Sequence, residues 1–280
     1  MKIKTAKGNI KPIRMIKIVT FLSDFGSQSG YPAAMKGVAA EICDARFIDI
    51  THEVEPQNVR AGAFVLQMVA PYFPAHTVHC AVIDPGVGTE RRGLIVAADD
   101  QLFVGPDNGL LIPAAHRLGT PQIYEIQDQT YMRPNVSSTF HGRDIFAPVA
   151  AHLANRVPPE AIGNPIDDWV DLEFGQGQLD GDRLTGEIIY IDRFGNLITN
   201  IAGELLRAFV GSGETLVLLH KEEMRVRVLP AYGFAEGPDP LVTVGSHDCV
   251  EIAINRGDAA KALGLGDGDP ITLVRDPSKG

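Results

Sequence analysis

Apolar positions along the chain repeat in two different ways, and the change falls near residue 165. From residue 16 to about residue 160, short β-branched and aromatic runs alternate with stretches at helical spacing. KIVTFLS, RFIDIT, TVHCAVID and QIYEIQ read as strands. YPAAMKGVAAEI, VRAGAFVLQMVAPYF, NGLLIPAAHRLG and the stretch from GRDIFAPVAAHLA read as helices. GLIVAADDQLFVGP reads as two short strands joined at Asp99 and Asp100. Alternation of strand and helix predicts an α/β domain with a doubly wound, mostly parallel sheet over residues 16–168.

Beyond a Gly- and Asp-rich stretch, DDWVDLEFGQGQLDGDRL, the apolar residues alternate over short distances with turns between them. LTGEIIYID, NLITNI, TLVLLH, MRVRVLP, LVTVGS, CVEIAIN and ITLV predict the antiparallel strands of a second, all-β domain over residues 183–280, a small barrel or sandwich, with the β-barrel as the expected form.

Composition narrows the partners. Lys plus Arg number 25 against 35 Asp plus Glu, a net charge of -10, and no basic stripe is present to track a phosphate backbone, so nucleic acid is not expected. Cys43, Cys80 and Cys249 are widely spaced and contain no CxxC pair, which points away from disulfides and zinc and towards a reducing cytoplasm. The basic N-terminus is interrupted by Lys17 and then Asp24, so it lacks the apolar core of a signal peptide, and no run is long enough to span a membrane. Met15, just before the first strand, makes it open whether the chain starts at Met1 or Met15.

In open α/β sheets, ligands bind beyond the carboxyl ends of the strands, and four polar clusters fall there. SDFG places Asp24 after the first strand, to cap a helix or to meet a diol. DPGVGTERRG ends a strand with Asp84 and returns Arg91 and Arg92 a few residues later. It lacks the lysine and Ser/Thr of a phosphate loop and reads either as a ligand loop or as a turn with an ion pair. GPDNG places Asp107 and Asn108 before a helix, where capping is the simplest reading. TFHGRD sets His141 beside a glycine at a helix start, a position suited to proton handling. His76 and His79 are spaced HxxH around a strand, not on a helix, and read as surface and sheet residues. His52 and Glu53 could cap or line the site. No metal site is indicated.

The order SDFG, DPGVG, PDNG, FHGRD and then DRFGNLITNI resembles the S-adenosyl-L-methionine hydroxide adenosyltransferases, relatives of fluorinating and chlorinating enzymes that deliver halide to the same carbon. MKGV, THEVEPQNVRAGAF and EIAIN extend the resemblance from about Lys17 to the last strand. It implies hydrolysis of S-adenosyl-L-methionine to adenosine and L-methionine, with no cofactor. It also implies a homotrimer in which the substrate lies between the N-terminal domain of one subunit and the C-terminal domain of its neighbour. The family's Asp-Arg-His set falls on Asp84, Arg91 and His141, and its ribose-holding carboxylate on Asp24. Asp107 and Asn108 join the substrate-contacting set. Asp192, Phe194 and Asn196 match residues around the adenosyl and methionine portions, with Ser246, Asn255 and Arg256 at the adenine edge. The halogenating relatives carry Tyr-Ser in place of His141-Gly142 and an extra N-terminal loop, which makes water the expected nucleophile. Two departures stand out: Ser29 occupies a position where the family has an aspartate facing the substrate amino group, and His247 and Asp248 replace less polar residues.

Two other readings fit the same residues. One is a non-catalytic S-adenosylmethionine sensor. The other is a metal-dependent phosphohydrolase using Asp24, Asp84, Asp107, Asn108 and His141.

Overall fold

The computed structural model of the chain describes residues 2–4, 10–12, 16–210, 214–220 and 223–276. Met1 and Met15 lie outside the described residues. The chain divides into two compact units, residues 1–172 and 173–280.

The first unit opens with a short antiparallel pair, β1 (Lys2–Lys4) and β2 (Ile10–Pro12). There follow β3 (Ile18–Ser23), α1 (Tyr31–Ile42), β4 (Arg46–Thr51), α2 (Val59–Val69), β5 (Val78–Val82), β6 (Gly93–Ala98) and β7 (Gln101–Pro106). The unit continues through α3 (Ile112–Leu118), β8 (Gln122–Ile126), a π-helical turn at Gly142–Phe146, α4 (Ala147–Ala154), α5 (Pro159–Ile162) and β9 (Gly163–Pro165). One seven-stranded sheet results, in the order β4-β3-β5-β7-β6-β8-β9.

The sheet is parallel only across β4, β3, β5 and β7; β6, β8 and β9 pair antiparallel. The expected doubly wound sheet is present, with its parallel part at β4, β3, β5 and β7 and an antiparallel flank beyond it. The cause is local: β6 and β7 are joined by Asp99 and Asp100 alone, with Asp99 at φ 51°, and a two-residue connection can only reverse the chain. Every residue of β5 is buried, as is most of β3 and β7, which explains why these strands read as continuous apolar runs. Asn58 caps α2 by accepting from the Ala61 N–H at 2.9 Å, and prolines open α1, α3 and α4 where no N–H is needed. Phe21, Met35, Phe103 and Phe146 are among the largest side chains wholly enclosed in this core.

His79 crosses that core. Gln101 donates its amide N–H groups to the Ala70 and Phe73 carbonyls, so its Oε1 accepts from His79 Nε2 at 2.7 Å. His79 Nδ1 then accepts from the Thr20 hydroxyl at 2.8 Å, while the ring stacks on Phe103. One neutral histidine thus ties β3, β5 and β7 together.

The second unit contains β10 (Gln178–Asp180), β11 (Arg183–Ile191), β12 (Leu197–Ala202), α6 (Gly203–Phe209), β13 (Thr215–Leu219), β14 (Glu223–Val228), β15 (Pro240–Val244), β16 (Cys249–Ile254), α7 (Ala259–Leu263) and β17 (Pro270–Arg275). The order β11-β12-β16-β15-β14-β13-β17 returns to β11, closing a seven-stranded barrel with β10 added at its side. Leu184, Ile188, Leu197, Ile201, Val242, Ile252 and Leu273 fill it. All pairs are antiparallel except β14 with β15. The predicted barrel strands are all present. The short elements β9, β10, α6 and α7 left no periodic signal.

Candidate active site

The chain leaves β3 through α1 to β4 on one flank, then crosses through α2 to β5 on the other. The carboxyl ends of β3 and β5 therefore flank the point where strand order reverses, the place such sheets bind ligands. Ser23 is in register with Val82, so Asp24 and Asp84, which follow these strands, open onto the same crevice.

Asp84 and Arg91 form a closed ion pair. Arg91 Nε donates to both carboxylate oxygens, at 2.9 and 3.0 Å, and its terminal nitrogen also meets Oδ2; the side chains are 5% and 12% exposed. The same terminal nitrogen donates to His141 Nδ1 at 2.8 Å. Phe146 supports the guanidinium from the π-helical turn, with its ring centre 5.1 Å from Cζ. His141 immediately precedes that turn, which carries it out of regular helical register.

Two glycines set the approach. Gly88 has φ 78°, and a Cβ there would run into the Ser138 carbonyl, so the 85–91 loop reaches the segment before His141 only because residue 88 is glycine. Gly142 lies among Met35, Phe140 and Phe25, where a Cβ would be 3.3 to 3.4 Å from each. Phe25, Tyr31 and Phe140 pack edge to face around it.

An arginine has no lone pair to offer, so His141 Nδ1 must accept, and the neutral ring carries its proton on Nε2. Burial and the neighbouring Arg91 charge hold the His141 pKa below its usual value, against the opposing pull of Asp84 and Asp144. The cluster therefore presents hydrogen-bond donors and contains no net charge: Asp84 cancels Arg91 and His141 is neutral.

The other predicted residues of this unit are engaged within the loops. Asp24 Oδ2 accepts from the Gln57 N–H at 2.8 Å. The Ser29 hydroxyl donates to the carbonyls of Phe25 at 2.8 Å and Gly26 at 3.1 Å, closing its own turn. Asp107 is buried: one oxygen accepts from Arg92 Nε at 2.9 Å and the other from the Val170 N–H at 2.8 Å. Asn108 donates to the Ile83 carbonyl at 2.8 Å and accepts from the Leu110 N–H at 3.2 Å, fixing the end of β5. His52 is buried and bonded to Ser23 at 2.7 Å, while the Glu53 carboxylate accepts from the Ser27 N–H at 2.6 Å. Among the described residues, no group of three or more His, Cys, Asp or Glu is placed to hold a metal ion.

The second unit carries its own cavity, of about 540 Å³, lined by Asp192, Phe194, Asn196, Tyr232, Asn255 and Arg256, with Ile254 and Gly257. Asp192 organises the turn beside it, accepting from the N–H groups of Phe194 and Asn196 at 2.8 and 2.9 Å and from the Asn196 amide at 2.9 Å. Phe194 is left 77% exposed at the cavity edge. Five of the six residues expected in this unit line the cavity; Ser246 is exposed in the turn before β16 and does not. Tyr232 was not anticipated. The available signal was an aromatic pair, Tyr232 and Phe234, inside an otherwise Gly- and Pro-rich turn.

Residues 19–163 match the SAM hydroxide adenosyltransferase N-terminal domain, and residues 186–272 match the C-terminal domain of that family. The chain is 42% identical over 260 residues to a protein of Salinispora tropica named (R)-S-adenosyl-L-methionine hydrolase, covering 91% of this chain and 97% of the relative. It is 38% identical to a protein of Thermus thermophilus with the same name, covering 91% and 99%. A fluorinase of Actinopolyspora mzabensis is 28% identical, covering 92% and 97%. A crystal structure of an uncharacterized conserved protein from Thermotoga maritima superposes with a TM-score of 0.87 at 38% identity, covering 92% of this chain and all of that one. The two halves, the order of their motifs and the shared fold agree: this chain belongs to the SAM hydroxide adenosyltransferase family.

Proposed function

We propose that this chain hydrolyses S-adenosyl-L-methionine to adenosine and L-methionine, with Asp84, Arg91 and His141 holding the nucleophile. The observation that carries the role of these residues is the single Arg91 nitrogen shared between the Asp84 carboxylate and His141 Nδ1.

In the reaction, a water-derived oxygen bonds to the 5′ carbon as the carbon–sulfur bond breaks. The bonding pair goes to sulfur, and the sulfonium leaves as neutral methionine. Water gives up one proton in all. Arg91 cannot take it, and His141 has its basic nitrogen occupied, so the proton goes to solvent. The set acts instead as a hydroxide hole: the Arg91 guanidinium and the His141 Nε2–H stabilise oxygen as it gains negative character. Asp84 neutralises Arg91, so that the sulfonium does not meet an unbalanced cation. Exclusion of bulk water and in-line placement supply the rest of the acceleration.

Asp24 is assigned to the ribose hydroxyls, and Ser29, Asp107 and Asn108 to shaping the crevice around the substrate. Asp192, Phe194 and Asn196 are assigned to the adenosyl and methionine portions, and Ser246, Asn255 and Arg256 to the adenine edge. The reading includes a homotrimer that brings the N-terminal unit of one subunit to the C-terminal unit of its neighbour, in the cytoplasm and without a cofactor. Light scattering on the purified chain tests the trimer.

A metal-dependent phosphohydrolase is disfavoured because the oxygens of Asp84 and Asp107 are already taken by arginines and a backbone N–H. Incubation with S-adenosyl-L-methionine in ¹⁸O-water tests the proposal. Adenosine labelled at its 5′ hydroxyl is expected. Bound but unconverted substrate would make the chain a sensor, and unlabelled adenosine would exclude water as nucleophile.

A further inference from the structure

Glu251 sits in β16 at 3% exposure, a depth at which a carboxylate must be paired. The Tyr232 hydroxyl donates to its Oε1 at 2.6 Å. His247 Nε2 lies 3.4 Å from Oε2. His247 Nδ1 accepts from the Cys249 N–H at 3.2 Å, which places the ring proton on the nitrogen facing Glu251. The arrangement is built into the backbone: a Cβ on Gly245 would run into the His247 ring and stand 2.7 Å from Glu251 Oε2. Glu251 and His247 do not line the cavity of the barrel unit, whereas Tyr232 does, from the turn Tyr232–Phe234.

We infer that the His247–Glu251 pair is a positioning device that fixes Tyr232 as one wall of this cavity and so sets how tightly the heterocyclic end of the substrate is held. The inference rests on the hydrolase reading above and adds three residues to it. Tyr232 and Phe194 both line this cavity, and two aromatic side chains beside the polar groups of Asn255 and Arg256 suit a flat, hydrogen-bonding heterocycle. Tyr232 lies on a short turn and is 40% exposed, and the bond from its hydroxyl to Glu251 anchors the far end of the ring. Burial and the Glu251 carboxylate push the phenol pKa up, so Tyr232 stays protonated and keeps donating. The charged or titratable groups around the pair are Asp192, which acts on Tyr232, and Cys249, which acts on His247; the nearby Asp248 is paired with Arg207 at 2.9 Å.

Because the device acts on one end of the substrate and not on the reacting atoms, its loss appears in KM and leaves kcat in place. Tyr232→Phe keeps the ring and removes only the tether; Glu251→Gln keeps shape and an accepting oxygen. KM for S-adenosyl-L-methionine is expected to rise about 5- to 20-fold in Tyr232→Phe and His247→Leu, with kcat within about twofold, consistent with losing one hydrogen bond to a charged group. Glu251→Gln is expected to retain most of the affinity. Tyr232→Phe combined with Glu251→Gln should be no worse than Tyr232→Phe alone, since both act through one bond. Wild-type KM in Tyr232→Phe, or a fall in kcat with KM unchanged, would overturn the inference. A wild-type chain that releases no adenosine would instead overturn the hydrolase reading, and the affinity comparison would then be made by calorimetry with S-adenosyl-L-methionine, with the same expected ranking.

Discussion

Arg91 bridges Asp84 and His141 with one nitrogen, closing on the carboxylate through its Nε edge and reaching the imidazole at 2.8 Å. The geometry needs a planar fork. Arg91→Lys offers one ammonium in place of the fork and should lower kcat by about 10²- to 10³-fold, the range for losing an oriented donor at a developing anion. Steady-state kinetics with S-adenosyl-L-methionine checks this, and a lysine variant that turns over at the wild-type rate would remove Arg91 from the proposed hole.

Protonation of His141 would place an N–H on the nitrogen that now accepts from Arg91, setting two donors against each other. Activity should therefore be present above the His141 pKa and lost as pH falls through it. Burial and the Arg91 charge hold that pKa below the ordinary 6.5, so the acid limb of the kcat profile belongs below pH 6.5. A midpoint above 6.5, or a limb that survives in His141→Asn, contradicts the assignment.

Gly88 tests the placement of the loop. Gly88→Ala combines a strained backbone at φ 78° with a collision against the Ser138 carbonyl. It should cost about 1–2 kcal/mol of stability and misplace Arg91, three residues on, lowering kcat more than tenfold by loss of alignment. Gly26→Ala has a similar φ of 73° but meets nothing within 4 Å, so thermal melts of the two variants separate strain from collision. Equal losses in Tm would show that the Ser138 contact does not matter.

His79 gives the fold its own pH dependence. Burial pushes its pKa down to about 4, against a weaker upward pull from Gln101. The unfolded chain binds this proton near pH 6.5 and the folded chain does not. The stability it contributes is thus complete above 6.5 and disappears as pH falls towards 4, amounting to roughly 3 kcal/mol across the window. Urea unfolding at pH 7 and pH 5 should differ by about 2 kcal/mol from this group. His79→Gln, less stable overall, should lose that difference; an unchanged slope would assign it elsewhere.

Long elements were legible because their signals are collective. KIVTFLS, TVHCAVID and the barrel strands carry enough apolar residues to specify both element and face. The antiparallel half of the first sheet was half legible: Asp99–Asp100 marked the reversal between β6 and β7, but pairing partners such as β8 with β6 depend on contacts far apart in sequence. At the site, Asp84, Arg91 and His141 were found as residues near strand ends, but their order of contact was not. Sequence places His141 as a proton carrier, whereas its accepting nitrogen faces Arg91. Ser29, singled out as a substrate contact, has its hydroxyl turned to backbone carbonyls. Tyr232 and Glu251 escaped notice because a turn tyrosine and a strand glutamate acquire meaning only when β16 brings them to 2.6 Å.

Arg91 and Arg92 are neighbours with opposite destinations. The first turns to Asp84; the second, in the extended chain entering β6, turns to Asp107 and Asp168. Two neighbouring guanidinium groups thus neutralise two different buried carboxylates, and replacing either arginine by a neutral side chain would strand its own carboxylate while leaving the other pair intact.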